Sequence, residues 1–289
     1  MKHTLILFLI SFSLSAQIKG VVKDSISGKP IAFVNIWVEN ENIGTTSEEN
    51  GSFTLEIKEE KNIVFSVLGY ETKTIKASNF ENVLLVQKVY EMPEVVLEVP
   101  KRTKEIEVGN SNNRFYLAES QIVPWIFAKK IDLDSLDLSL KFLKQIIYFT
   151  NSEVQSGKFR IRIFNLDIKG KPLDDLLVEE IIVLVKKGKQ KSIVDVSKFN
   201  IEIPKEGILV GFESLIIEEN KYFQKARVYK TKKTIEINNY SPHILYHYSD
   251  KEISYASRIN EWTKQLFSMY ANRDKKEVLA PAINVILTN

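Results

Sequence analysis

The stretch Ile18-Lys19-Gly20-Val21-Val22-Lys23-Asp24, Ser25-Ile26-Ser27-Gly28-Lys29-Pro30, Ile31-Ala32-Phe33-Val34-Asn35-Ile36-Trp37-Val38 reads as two strands around a turn. Gly28 and Pro30 punctuate it, and β-branched and aromatic residues fill the runs on either side. In the second run, period two places Ala32, Val34, Ile36 and Val38 on one face and Phe33, Asn35 and Trp37 on the other. Asn50-Gly51 supplies the positive φ angles of a tight hairpin, and Ser52-Phe53-Thr54-Leu55-Glu56-Ile57 alternates again. Ile63–Val67 and Glu71–Ile75 follow around Leu68-Gly69-Tyr70. A string of short strands with turn residues between them is the pattern of a small β-sandwich. The glycines lie between strands and none opens a helix, so they serve backbone turns rather than phosphate binding.

Upstream of this module, Met1-Lys2-His3-Thr4 is a short cationic start, Leu5–Leu14 is an apolar run, and Ser15-Ala16 is a small pair. That order predicts a secretory signal peptide over residues 1–16, cleaved after Ala16. The run falls well short of the ~20 residues a membrane-crossing helix needs, and later apolar runs such as Ile181–Val185 have strand length. No transmembrane segment is therefore expected in the mature chain. The expected location is the periplasm or the cell surface, with no cysteine at the cleavage point to carry a lipid.

Downstream, Lys101–Glu105 and Gly109–Asn113 are charged and then turn-forming. They predict a linker at 98–113 between a domain at 17–97 and a second at 114–289. The second half repeats short strand signals, among them Gln121–Ile131, Gln145–Thr150, Lys158–Asn165, Ser192–Val196, Gly207–Ile217, Leu245–Tyr248 and Ala282–Leu287. Helical periodicity is confined to Ser135–Leu143 and Leu173–Glu180. The expected class is all-β, with two β-sandwich domains, the second jelly-roll-like.

Gly20-x-Val22-x-Asp24, Gly28-x-Pro30-Ile31-x-x-Val34-x-Ile36, Gly44-Thr45-Thr46-Ser47-x-x-x-Gly51-x-Phe53 and Val67-Leu68-Gly69-Tyr70 closely resemble the carboxypeptidase-regulatory-like domain over residues 17–97. The resemblance implies a transthyretin-like or immunoglobulin-like sandwich, frequent in exported proteins of Bacteroidota, that acts as an accessory domain without catalysis of its own. Tyr90–Leu97 also resembles the segment joining this domain to the plug of TonB-dependent receptors. No plug or barrel pattern follows it, so receptor function is not implied. Lys158–Phe164, Gly170–Leu177, Asp195–Pro204 and Gly207–Glu213 look like a β-sandwich region of exported proteins carrying the same N-terminal domain. That second resemblance implies no known chemistry.

Composition limits the chemistry available. The 289 residues contain no cysteine and three histidines, and 40 Lys+Arg stand against 37 Asp+Glu, a net charge of +3. Thiolate metal sites, disulfides and cysteine nucleophiles are excluded, and no basic stripe suggests nucleic acid. His243 and His247 lack the Glu of a His-Glu-x-x-His motif, and on one strand they would stand about 13 Å apart, so a solvent-facing segment is expected rather than a metal site. Asp132-Leu133-Asp134-Ser135-Leu136-Asp137 departs from a calcium loop and suits a helix start or turn. Glu213, inside an apolar strand, is a candidate for a carboxylate with a raised pKa, though a Glu bonded to a neighbouring Arg or Tyr is preferred. Arg160 and Arg162, with Lys158, form one polar strand face, expected to be a solvated edge, with an anionic-glycan patch as the alternative. Phe33, Trp37, Trp125 and Trp262 are the candidate aromatic platform for a carbohydrate, with packing against the second domain as the plainer role for Phe33 and Trp37.

The resulting expectation is a non-enzymatic exported accessory or binding protein of the cell envelope, acting through protein contacts and needing no cofactor. A carbohydrate-binding module and a hydrolase with an unrecognised site are the alternatives; an envelope protein or a glycan is the expected partner.

Overall fold

Period-two patterning becomes strands in almost every place it occurs. The computed structural model describes residues 16–57, 61–77, 81–88, 103–109, 114, 122–133, 139–227, 231, 233–249, 253–258, 261–265 and 278–289. The expected signal segment lies outside these, apart from Ala16, as do most of the expected linker and the greater part of the Asp132–Asp137 run.

The N-terminal module contains β1 (Ala16–Asp24), β2 (Asn35–Val38), β3 (Gly44–Thr46), β4 (Ser52–Ile57), β5 (Asn62–Ser66), β6 (Lys73–Lys76) and β7 (Asn82–Leu85). One sheet has the order β4-β1-β7 and the other the order β3-β2-β5-β6. In β4 the alternation is complete: Phe53, Leu55 and Ile57 are buried while Thr54 and Glu56 are exposed. These three pack with Val22, Val34, Ile36, Ile63, Phe65, Val83 and Leu85 into one apolar core, with the Phe53 and Phe65 rings edge to face at 5.5 Å.

Asn50-Gly51 does turn the chain, but it does not close a hairpin. β3 pairs with β2 and β4 with β1, so the turn carries the chain from one sheet to the other. Gly51 has φ +75°, and a Cβ there would lie 2.7 Å from the Val22 carbonyl oxygen, so only glycine fits. The second strand is also shorter than its pattern. Phe33 adopts φ +54°, a left-handed conformation costly for a bulky residue, and β2 begins only at Asn35.

The C-terminal module is built from β8 (Glu105–Val108), β9 (Trp125–Ile131), β10 (Phe142–Ser152), β11 (Gly157–Leu166), β12 (Pro172–Asp175), β13 (Ile182–Val185), β14 (Gly188–Asp195), β15 (Ile208–Ser214), β16 (Lys221–Arg227), β17 (Thr234–Tyr240), β18 (His243–Ile244), β19 (Tyr246–Ser249), β20 (Ser254–Arg258), β21 (Glu261–Gln265), β22 (Val278–Pro281) and β23 (Ile283–Thr288). A sheet ordered β14-β10-β23-β8, with β18 beside β10, packs on one ordered β12-β11-β15-β9-β20-β21, with β13 beside β11. Leu143, Ile146 and Tyr148 of β10, Phe159, Ile161 and Ile163 of β11, Val210 and Phe212 of β15, and Val285 and Leu287 of β23 fill the space between them. The protein is thus nearly all-β, in sandwich form, as expected. Within the core, the Tyr148 hydroxyl donates to the Gly211 carbonyl at 2.9 Å, satisfying the one polar atom that the ring carries inward.

The helical periodicity at Leu173–Glu180 is overridden. Pro172–Asp175 is a strand on the edge of β11, Leu177 is buried in the main core, and Leu173 and Val178 are exposed. The second helical candidate meets the same fate in its described part, where Phe142 and Leu143 begin β10.

Candidate functional site

Alternation along β11 decides where charge is concentrated. Phe159, Ile161 and Ile163 point into the sandwich, so Arg160 and Arg162 share the opposite face of the sheet. β15 runs antiparallel beside it with Arg160 opposite Glu213 and Arg162 opposite Gly211. With no side chain at Gly211, Arg162 reaches diagonally to Glu213, so one carboxylate oxygen receives Arg160 Nη1 at 3.2 Å and Arg162 Nη1 at 3.1 Å. Arg162 Nε also donates to Asp175 Oδ2 at 2.5 Å, and Asp175 Oδ1 accepts from the Leu177 amide at 2.9 Å. Glu180 Oε1 stands 3.1 Å from Arg160 Nη2, an ion pair outside hydrogen-bond geometry.

The N-terminal module completes this network. Arg160 Nη2 donates to the carbonyl of Phe33, and Asn35 Nδ2 donates to Glu213 Oε1 at 2.5 Å. The left-handed backbone at Phe33 therefore coincides with the point where a fully buried guanidinium meets the other module. The Phe33 ring packs with Leu215 and Ile217, flanked by Ala32 and Ile182. Beside this contact, the Thr46 amide donates to the Ile216 carbonyl at 3.2 Å, the Ile216 amide donates to Thr46 Oγ1 at 3.0 Å, and Lys158 bridges Glu49 and Glu219.

Burial and charge pull the carboxyls apart. Burial alone would raise Glu213, but Arg162, Arg160 and the Asn35 amide outweigh it and hold this carboxyl below its ordinary value. For Asp175 burial wins over Arg162, and for Glu180 burial, with Glu213 adding to it, wins over Arg160, so both are raised. The same surroundings hold the Arg162 guanidinium firmly protonated, the two carboxylates overcoming the cost of its burial.

Glu213 is bonded to Arg160 and Arg162, the preferred of the two readings, and the raised carboxyl that was the other reading does not form because two guanidiniums and an amide point at it. Two expectations are corrected here. Arg160 and Arg162 do not form a solvated edge: β11 lies between β15 on one side and β12 and β13 on the other, and the N-terminal module covers Arg160. His243 and His247 are buried rather than solvent-facing, on separate strands, β18 against β10 and β19 against β22. Tyr222 lies 3.1 Å from His243 Nε2, and burial lowers the pKa of His243 to about 4. Among the described residues no cluster of three or more His, Asp or Glu is placed to hold a metal ion.

The aromatic candidates are not brought together. Phe33 lies in the junction and Trp37 is buried in β2 beside Gly44. Trp125 and Trp262 are half-buried on β9 and β21. Trp125 stacks on Phe127 at 5.7 Å with the Arg258 guanidinium 5.2 Å from its ring, and Trp262 meets Phe164 and Tyr255 edge to face.

Sequence reasoning passed over Asn35, Asp175 and Glu180. A usable signal existed: two arginines on the polar phase of β11 and a glutamate inside an apolar strand require opposite charges nearby once that face is covered. Asp175 and Glu180 were hidden because their segment carries a helical period.

A second feature adjoins the contact between the modules. A cleft of about 630 Å³ is lined by Ser52–Glu56 of the smaller module and by Lys221, Asn238 and Tyr240 of the larger.

Comparison with known proteins places these features in context. The chain is 26% identical over 153 residues to the TonB-dependent receptor SusC of Bacteroides thetaiotaomicron, a match covering 53% of this chain and 14% of that receptor. It is 30% identical over 130 residues to TonB-dependent receptor P3 of Formosa agariphila, covering 43% of this chain and 13% of the receptor. A solved chain titled Structure of infectious bursal disease virus Gx strain aligns with 95% of this chain and 75% of its own, at 10% identity and a TM-score of 0.25, too loose to bear on the fold. The model of the CarboxypepD_reg-like domain matches residues 18–97, the stretch that forms the smaller module and the segment after it. Residues 18–97 are therefore a CarboxypepD_reg-like domain, as their turn residues had indicated.

Proposed function

We propose that this protein is a non-enzymatic accessory component of the cell envelope, exported to the periplasm or the cell surface, that works through protein contacts. The observation that carries this reading is the junction. Its strongest polar groups are spent on one another and on the backbone of the neighbouring module, so Arg160, Arg162 and Glu213 act as a joint that sets one module against the other. The Asp175 carboxyl is raised as acid–base chemistry would use it and that of Glu213 is lowered, but each is committed to an arginine and almost sealed from solvent. The similarity to TonB-dependent receptors supports an envelope setting.

Export and contact are tested together. Tagged full-length protein is expressed in its host, crosslinked in intact cells and captured from the envelope fraction. The expected result is a chain whose first residue is Gln17, recovered with at least one envelope protein enriched over an untagged control. A chain retaining residues 1–16 in the soluble cell interior, or capture with nothing enriched, would overturn the reading.

A further inference from the structure

β4 is an outer strand: in the order β4-β1-β7 its one hydrogen-bonded neighbour among the described residues is β1. The cleft follows this strand through five consecutive residues, Ser52 to Glu56, so it runs along a backbone edge rather than over a patch of side chains. An outer strand presents amides and carbonyls to which another extended chain can add. β4 spans six residues, roughly 20 Å at the rise of an extended chain. The volume of about 630 Å³ is that of a site for a short segment rather than for a folded domain.

The charge of the walls selects among such segments. The charged residues lining the cleft are Glu48, Glu56, Glu218 and Lys221. Lys221 is already paired with Glu218 at 2.8 Å. Glu56 stands exposed at the strand edge, and Glu48 accepts the Glu218 amide at 3.0 Å. Burial, followed by the neighbouring carboxylates of Glu218, Glu219 and Glu49, raises the Glu48 carboxyl against the lowering effect of that amide. A cation arriving here would relieve this crowding of like charge.

We infer that the cleft beside β4 binds an extended segment of a partner protein, about six residues long and carrying basic side chains, which adds to the sheet edge as a further strand. The inference rests on the proposed contact role and names the chemistry of the contact.

Fluorescence anisotropy with the full chain tests it, using labelled Lys-Val-Lys-Val-Lys-Val, the matching Glu-Val peptide, and two forms of the lysine peptide N-methylated at either its valine or its lysine amides. The lysine peptide is expected to bind at least tenfold more tightly than the glutamate peptide. One of the two methylated forms, the one whose blocked amides face β4, should lose at least tenfold. Glu56→Lys and Glu56→Gln, both at an exposed position, should weaken the lysine peptide in that order while leaving the melting temperature unchanged. Absence of saturable binding, equal binding of the two charge types, or full binding by both methylated forms would overturn the inference. Such a result beside successful capture of an envelope partner would leave the contact role standing and remove this cleft as its place.

Discussion

At the scale of single residues, the protein stores charge and strain where its two modules meet. Arg160 is fully buried, yet the two Nη atoms of its guanidinium are met by Glu213, Glu180 and the Phe33 carbonyl. Burying a guanidinium without such partners would cost several kcal/mol, which explains why a left-handed Phe33, itself costing ~1–3 kcal/mol, is retained to aim its carbonyl there. A second buried titratable group works differently. His243 is neutral in the fold, with a pKa of about 4 against an ordinary 6.5. A lowered folded pKa means that the unfolded chain takes up the proton first. Its contribution is complete above about pH 6.5 and is lost as pH falls towards 4. Taking ~1.4 kcal/mol per unit, the loss is ~3 kcal/mol. Urea unfolding of the parent and His243→Gln at stepped pH should show the parent losing stability across this window and the variant losing less; parallel curves would refute it.

Among the elements, β12 and the loop after it carry the clearest conflict between local and tertiary preference. Leu173, Leu176, Leu177 and Glu180 recur at helical spacing, but a helix needs its whole face covered, and here only the edge of β11 is on offer. The backbone pairs with β11 instead, Leu177 turns into the core, and Asp175 faces Arg162. Leu173→Glu should therefore leave stability within ~0.5 kcal/mol, whereas Leu177→Ala should cost ~2–5 kcal/mol. On a helix both would lie on one face and suffer alike, so comparable losses in chemical denaturation would contradict the strand. The Asn50-Gly51 turn makes the same point: its sequence calls for a hairpin, but its flanking strands find better-matched neighbours in different sheets.

For the whole molecule, two separate apolar cores are joined through the polar network, the Phe33 cluster and the hydrogen bonds of Thr46 with Ile216. Breaking a buried ion pair by removing one partner costs ~3–5 kcal/mol, because the remaining charge stays buried. Glu213→Gln should therefore uncouple the modules: calorimetry of the parent should give one transition and the variant two, with the core of the smaller module melting first. A single transition, merely lowered, would mean that the apolar contacts alone couple the two cores.

The sequence by itself determined the all-β class, the smaller module and its turn residues, because period-two alternation and glycine's freedom at positive φ are local properties read within a few positions. It also placed Arg160 and Arg162, with Lys158, on the polar phase of one strand, and Glu213 inside an apolar one. Whether that phase met water was decided only by the tertiary structure, since a strand carries no record of what covers its second face. Docking of one module onto that face turned an expected solvated edge into a buried joint, drew Asn35 and the Phe33 carbonyl to it, and kept the Glu213 carboxyl below its ordinary value where burial alone would have raised it.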